Sequence, residues 1–237
     1  MPRYFLSPGV FMCTTAEGVI FLDLKRDKYL GVPHEQFDSV RPEIDREGRH
    51  LEHQSYDSAD PSAARRLIDE LVHHGLLTTD RPIAYLSEES IQPSESVDDR
   101  EYSLRLWFSL RSVPTFVLAV LSAAAQIRFL TLERIVCRER IRLERSRKRM
   151  PPGKSSEATK LAQAFMTLTP LIFRSRDRCL FESLALMKFL YYNGVGARWV
   201  FGVRTAPFGS HCWVQYDHIV LNATLEHAKE FTTIMTV

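Results

Sequence analysis

The sequence offers no paired cysteines. Its four, Cys13, Cys137, Cys179 and Cys212, are scattered, with no C-x-x-C among them. Disulfide scaffolds and structural zinc sites need closely spaced ligands, so neither is expected, and a reducing cytoplasm is the expected compartment. Charge of one sign is missing too. The 31 basic and 29 acidic residues leave a formal +2, which gives no general drive toward nucleic acid. Behind Met1-Pro2-Arg3-Tyr4 no apolar run follows a charged start, so this end does not read as a secretory signal. The longest apolar stretch, Val113 to Leu132, is broken by Pro114, Gln126 and Arg128. A membrane span needs about 20 nearly uncharged apolar residues, so a buried helix is expected and stable membrane insertion is not. His50, His53, His73 and His74 show no metal-ligand spacing with nearby cysteines or carboxylates; neither a metal nor a cofactor is expected. No internal repeat is visible. What remains is a chain of 237 residues, 45% apolar, with enough material for one large or two small cores.

Pattern divides that material. Val10 to Cys13, Val19 to Leu24 and Tyr29 to Val32 read as short strands, with Ala16-Glu17-Gly18 and Lys25-Arg26-Asp27-Lys28 as the turns between them. Phe37, Val40 and Ile44 recur at helical spacing, and Pro42 shortens or kinks that element. A clearer helix follows, with Asp60 as cap, Pro61 at its first position, Ala64, Leu67, Ile68, Leu71 and Val72 on one face, and Gly75 as its stop. This order predicts a small winged-helix-like α+β domain over residues 1–80. Residues 81–100, with prolines, serines and Asp98-Asp99, read as a linker. A second domain is expected over 101–237. It opens with helical segments from Leu104 to Leu110, Thr115 to Phe129, Leu132 to Lys148 and Glu157 to Met166, with a break around Pro151-Pro152-Gly153. Then comes an apolar helix from Leu180 to Tyr192, opened by Cys179 and ended by Asn193-Gly194. Strands follow at Ala197 to Val203, His211 to Tyr216 and, past a tight Asp217-His218 turn, Ile219 to Leu221.

This last region carries chemistry. A nucleophilic cysteine works as its thiolate, which a helix N-terminus stabilises through free N–H groups and the helix dipole. Cys179 is predicted at such a terminus, with Arg176 and Arg178 beside it in sequence. A general base must reach the sulfur, and histidine is the usual choice. His211 lies about thirty residues on, past two backbone reversals, so it can return to the helix start. Cys13, Cys137 and Cys212 read as structural; Cys212 should point away from the site because adjacent strand residues face opposite sides.

The segment Arg178-Cys179-Leu180 before a long apolar helix, then Phe201-Gly202-Val203-Arg204-Thr205-Ala206-Pro207-Phe208 and Ser210-His211-Cys212-Trp213-Val214, resembles the B proteins of lasso-peptide gene clusters. The first 80 residues resemble the leader-binding domain of such proteins, a relative of the small chaperone of pyrroloquinoline quinone synthesis. The resemblance implies an α+β, papain/transglutaminase-like cysteine peptidase fused behind a leader-binding domain. Its site residues would be Cys179 and His211, its substrate the leader region of a lasso-peptide precursor, and its partner an asparagine-synthetase-like cyclase. The family places an aspartate after the strand that follows the histidine strand. Here that run reads Val220-Leu221-Asn222-Ala223, and Ala223 stands at the aspartate's position. Either Asn222 turns inward through a bulge and serves as the third catalytic residue, or the position is vacant. The rival function is a leader-binding adaptor without peptidase activity, and a winged-helix transcription factor ranks third. Arg134 to Arg149, basic with Glu133, Glu139 and Glu144 interleaved, reads as a solvated helix face with i,i+4 pairs; a docking surface for a precursor or partner enzyme is the alternative. Without interleaved aromatics it does not suggest nucleic acid.

Overall fold

A computed structural model describes residues 3–45, 61–80, 90–97, 112–147, 153–169 and 179–237. The expected Asp60 cap, the 104–110 helix, most of the linker, the prolines of the 151–152 break, Arg176, Arg178, His50 and His53 lie outside these residues. The chain divides into two compact units, Met1–Ser87 and Glu88–Val237.

The first unit is built on a strand buried throughout its length. β1 (Tyr4–Leu6), β2 (Val10–Thr14), β3 (Gly18–Asp23) and β4 (Lys28–Pro33) come first. β2, β3 and β4 pair as an antiparallel meander with β3 in the centre. The β3–β4 turn is set by Asp23, whose Oδ1 accepts from the backbone N–H groups of Lys25 and Arg26 at 2.9 and 3.3 Å. Asp27 then takes φ +52°, a left-handed conformation that short polar side chains tolerate. Helix α1 (His34–Asp38) is only five residues long. Pro42 falls in a 3-10 turn, Arg41–Glu43, and the chain leaves helical geometry at Ile44, which starts β5 (Ile44–Asp45). The helix expected through Phe37, Val40 and Ile44 is therefore cut short, and Ile44 reaches the core from a strand. Helix α2 (Pro61–His73) and β6 (Leu77–Thr78) complete the unit. Gly75, at φ +72°, provides the predicted stop. β5 and β6 flank β1 in a second small sheet. Val19, Phe21, Phe37, Val40, Ile68 and Leu71 form the core, with Phe21 and Phe37 packed edge-on at 6.0 Å.

The second unit packs helices on a five-stranded sheet. Its elements are β7 (Glu95–Ser96), α3 (Ser112–Phe129), α4 (Leu132–Arg147), α5 (Ser155–Leu168), α6 (Cys179–Tyr192), β8 (Arg198–Thr205), β9 (Phe208–Tyr216), β10 (Ile219–Val220), α7 (Leu225–Lys229) and β11 (Thr232–Thr236). The strand order is β11-β8-β9-β10-β7, antiparallel except for the β10–β7 pair. Residues expected as linker thus supply an edge strand: Glu95 and Ser96 pair with Ile219 and Val220. α6 is apolar on nearly every side because it is wrapped. Ser183 through Leu190 are all buried, and Phe189 meets Phe116 of α3 and Phe165 of α5 with ring centroids 6.3 and 5.7 Å apart. Lys188 sits inside this helix with no exposure and pairs with buried Glu139 of α4 at 2.8 Å; Glu139 also takes a two-oxygen hydrogen bond from Arg142. The face of α4 is therefore not wholly solvated, although the Arg140–Glu144 pair lies on its surface as expected. α3 differs from the expected buried helix. Phe116, Ala119, Val120 and Ala123 face inward, while Val113, Val117, Leu118 and Leu121 are exposed. Its length and apolar composition suffice to cross a membrane.

Candidate active site

The site grows out of an open strand edge. β10 pairs with β9 only through Tyr216 and Gln215, so among the described residues the same edge of β9 is bare of strand partners near Cys212. In an antiparallel ladder a residue's N–H and C=O point to one side. The C=O of Cys212 points away from β8, because it accepts from Ser183 Oγ of α6 at 2.9 Å. Its N–H lies on that same side, where Cys179 begins α6, and the Cys212 backbone hydrogen-bonds the Cys179 thiol. Two residues along, Val214 repeats the pattern: its N–H donates to Asn222 Oδ1 at 2.7 Å and its C=O accepts from the Leu221 N–H at 2.9 Å. The start of α6 is thus docked onto a strand edge that no strand among the described residues fills.

This docking brings Cys179 and His211 together. The half-buried Cys179 thiol is hydrogen-bonded by the Cys212 thiol, by the His211 imidazole and by the Cys212 backbone, and its pKa is lowered to about 4, with burial opposing the shift. At neutral pH the sulfur is a thiolate. Cys212 does not point away, as alternation along the strand led us to expect. The sulfur sits beside the strand backbone rather than over one face, so it reaches the side chains of both neighbours. Burial, the first cause, and the adjacent Cys179 charge push the Cys212 thiol well up; it stays protonated and donates.

The remaining residues divide by what they touch. Asn222 is not on the imidazole. Its Oδ1 holds the Val214 N–H, and its Nδ2 donates to Ser183 Oγ at 3.1 Å. Both ends of the amide hold the open edge of β9 against α6, so Asn222 shapes the site without orienting the base. Ala223 is half-buried against a cluster of Val200, Trp213, Val220, Ala228 and Phe231. Asp217, in the tight turn at φ +50°, is exposed. Gly202 sits opposite His211 in the ladder, where a Cβ would lie 2.7 Å from Phe231 Cβ and 2.9 Å from the Trp213 ring. Only a bare backbone lets Trp213 and Phe231 close beneath the histidine. The imidazole stacks on Trp213 at 6.0 Å and 21°.

Three participants were not foreseen. Glu182, one helical turn after Cys179, has its carboxyl pKa raised by burial and then by the Cys179 charge, with His211 opposing. The i,i+3 spacing placed it on the Cys179 face, a signal available from sequence. Ser183 and His227 had none: their roles depend on the open edge and on α7, and neither carries a motif. Among the described residues no group of three or more histidine, cysteine or acidic side chains is arranged to hold a metal ion.

A thiolate at a helix start, hydrogen-bonded to a histidine on a neighbouring strand, defines a thiol-nucleophile site of the kind that forms thioester intermediates. Comparison agrees with that class. Residues 119–236 match the family model of the transglutaminase-like superfamily, which includes cysteine peptidases and transglutaminases. The second unit therefore carries a transglutaminase-like domain, with Cys179 and His211 inside the matched span. No curated protein and no solved structure matches the chain.

Proposed function

We propose that this chain is a cysteine peptidase that removes the leader from a ribosomally made lasso-peptide precursor. The observation that carries the chemistry is the Cys179 thiolate hydrogen-bonded to His211 within a transglutaminase-like domain. The narrower assignment is supported by the run from Phe201 to Trp213, which resembles the lasso-peptide B proteins, and by Gly202, which that run requires for a steric reason. Cys179 attacks the carbonyl carbon at the leader–core junction; the C–N bond breaks as His211 gives its proton to the leaving amine. The leader remains on sulfur as a thioester. Water, deprotonated by His211, then splits the thioester and restores the thiol. Burial and then the Cys179 charge push the Glu182 carboxyl up from its ordinary range, which shifts it toward the form that does not repel the thiolate.

The first unit supplies the grip. β4 is an edge of its sheet, and Lys28 and Gly31 on it are exposed. A leader that adds there as a strand gains main-chain hydrogen bonds, and tethering raises the local concentration of the cut site. The reaction belongs to a reducing cytoplasm, and an asparagine-synthetase-like cyclase would take the freed core. A second reading, an adaptor that binds the leader without cutting it, is favoured by Ala223 at the position of the family's acid. Mass spectrometry of a precursor incubated with the full-length protein decides between them. The peptidase reading expects cleavage that falls at least about 1,000-fold in Cys179→Ala, with leader affinity unchanged. Saturable leader binding with no cleavage by the unaltered protein would establish the adaptor instead.

A further inference from the structure

One nitrogen of the site has no partner. His211 Nε2 is closed off from solvent and makes no hydrogen bond among the described residues, so the bond to Cys179 uses Nδ1. When Nδ1 takes the thiol proton, the imidazolium carries an N–H at each nitrogen, and a buried Nε2–H without an acceptor opposes that transfer. Asn222 cannot serve it, since both its polar ends are engaged elsewhere, and Ala223 has no acceptor.

The surroundings of the ring name a substitute. Trp213 and Phe231 cover it with ring centroids 6.0 and 5.3 Å away, and His227 of α7 approaches nearer, at 4.7 Å and 61°. His227 Nδ1 lies 3.3 Å from Glu230 Oε2, and that oxygen accepts from Arg204 at 2.7 Å. A histidine whose Nδ1–H faces a carboxylate keeps the lone pair on Nε2. His227 therefore sets a second imidazole with an acceptor nitrogen against the ring of His211, whose Nε2 has no hydrogen-bond partner among the described residues. The charged and titratable groups around His211 are Cys179 and Glu182 from α6, Cys212 from its own strand, His227 and Glu230 from α7, and Arg204 of β8 through Glu230.

We propose that His227, anchored by Glu230, is the positioning residue of His211, substituting through a second imidazole for the carboxylate that Ala223 cannot provide. The inference rests on the thiol-nucleophile reading of Cys179 and His211. His227 exchanges no proton in the reaction. It holds the Nε2–H of His211 while the thiol proton moves to Nδ1, and Glu230 fixes its tautomer.

The test needs no precursor. Cys179 of the full-length protein is alkylated with iodoacetamide across pH 4–9 and the rate at that residue is read by mass spectrometry. The variants are His211→Ala, His227→Phe, His227→Gln, Ala223→Asp and the Ala223→Asp/His227→Phe pair. We expect His227→Phe to move the fall of the alkylation profile up by about one pH unit, which slows the rate about fivefold at pH 4 and leaves it nearly unchanged above pH 6. His227→Gln, which keeps an acceptor at a half-exposed position, should retain most of the rate and guards against misfolding of the aromatic variant. Ala223→Asp should make the protein insensitive to His227→Phe, which a merely structural role for His227 would not do. A profile unchanged in His227→Phe but collapsed in His211→Ala overturns the role of His227 and leaves the nucleophile reading standing. A profile unchanged in both overturns the two together.

Discussion

Asn222 shows how one side chain can shape an active site without touching the reacting atoms. Its amide bonds Val214 on the histidine strand and Ser183 on the cysteine helix, and Ser183 in turn bonds the Cys212 carbonyl. Asn222→Ala strips the Val214 N–H of its partner and leaves Ser183 with one bond fewer. Unsatisfied buried groups cost about 1–3 kcal/mol each. We expect a loss of stability of that order in urea titration, together with impaired alkylation of Cys179; a variant as stable as the parent would show the edge to be held by other contacts. This role was hidden from the sequence. The order helix, strand, strand placed Cys179 and His211 correctly because both are marked by strong local signals. Asn222 was read as a possible partner of the imidazole because the register beyond Val220 is set by a bend that no pattern announces.

At the scale of elements, α6 does two things. Its first turn carries the nucleophile, and its middle holds the domain together through Lys188. That lysine is fully buried, and burial pushes its pKa down while Glu139 opposes the shift. A buried pair adds little net stability, but removing one partner strands the other charge at a cost of about 3–5 kcal/mol. Glu139→Ala is therefore expected to lower thermal stability by that amount, and Glu139→Ala/Lys188→Met to recover much of it; equal losses in both would contradict this account of the pair. The helices α3 to α6 were legible from their apolar spacing and breakers, and so were the hairpins of β2–β4 and β8–β10, whose turns are marked by Asp27 and Asp217. The strands missed were β1, β5, β6, β7 and β11. Four of these have two or three residues, and all five pair with partners distant in sequence, so neither alternation nor turn residues reveal them.

The whole molecule comprises two units, each with its own buried core. That separation supports a division between gripping and cutting. A fragment of residues 1–87 retains β1 to β6 and the cluster around Phe21 and Ile68. It is expected to unfold cooperatively in denaturant and, if the leader adds to β4, to bind leader peptide saturably; a folded fragment without affinity would remove the first unit from recognition. The second unit needs a different measurement, because its central claim is chemical. Cys179 is a thiolate down to about pH 4 because Cys212 and His211 hydrogen-bond it, whereas an unperturbed thiol titrates near pH 8.5. The sign follows: a lowered pKa keeps the sulfur reactive as pH falls, and reactivity disappears only as pH approaches the lowered value. The most direct measurement is the pH dependence of Cys179 alkylation in the unaltered protein beside that of Cys212, followed by mass spectrometry. The account predicts a Cys179 rate that is flat from about pH 9 to pH 5 and falls near pH 4, with Cys212 unreactive throughout. A Cys179 rate that climbs tenfold per unit between pH 6 and 8, as an ordinary thiol's does, would contradict it.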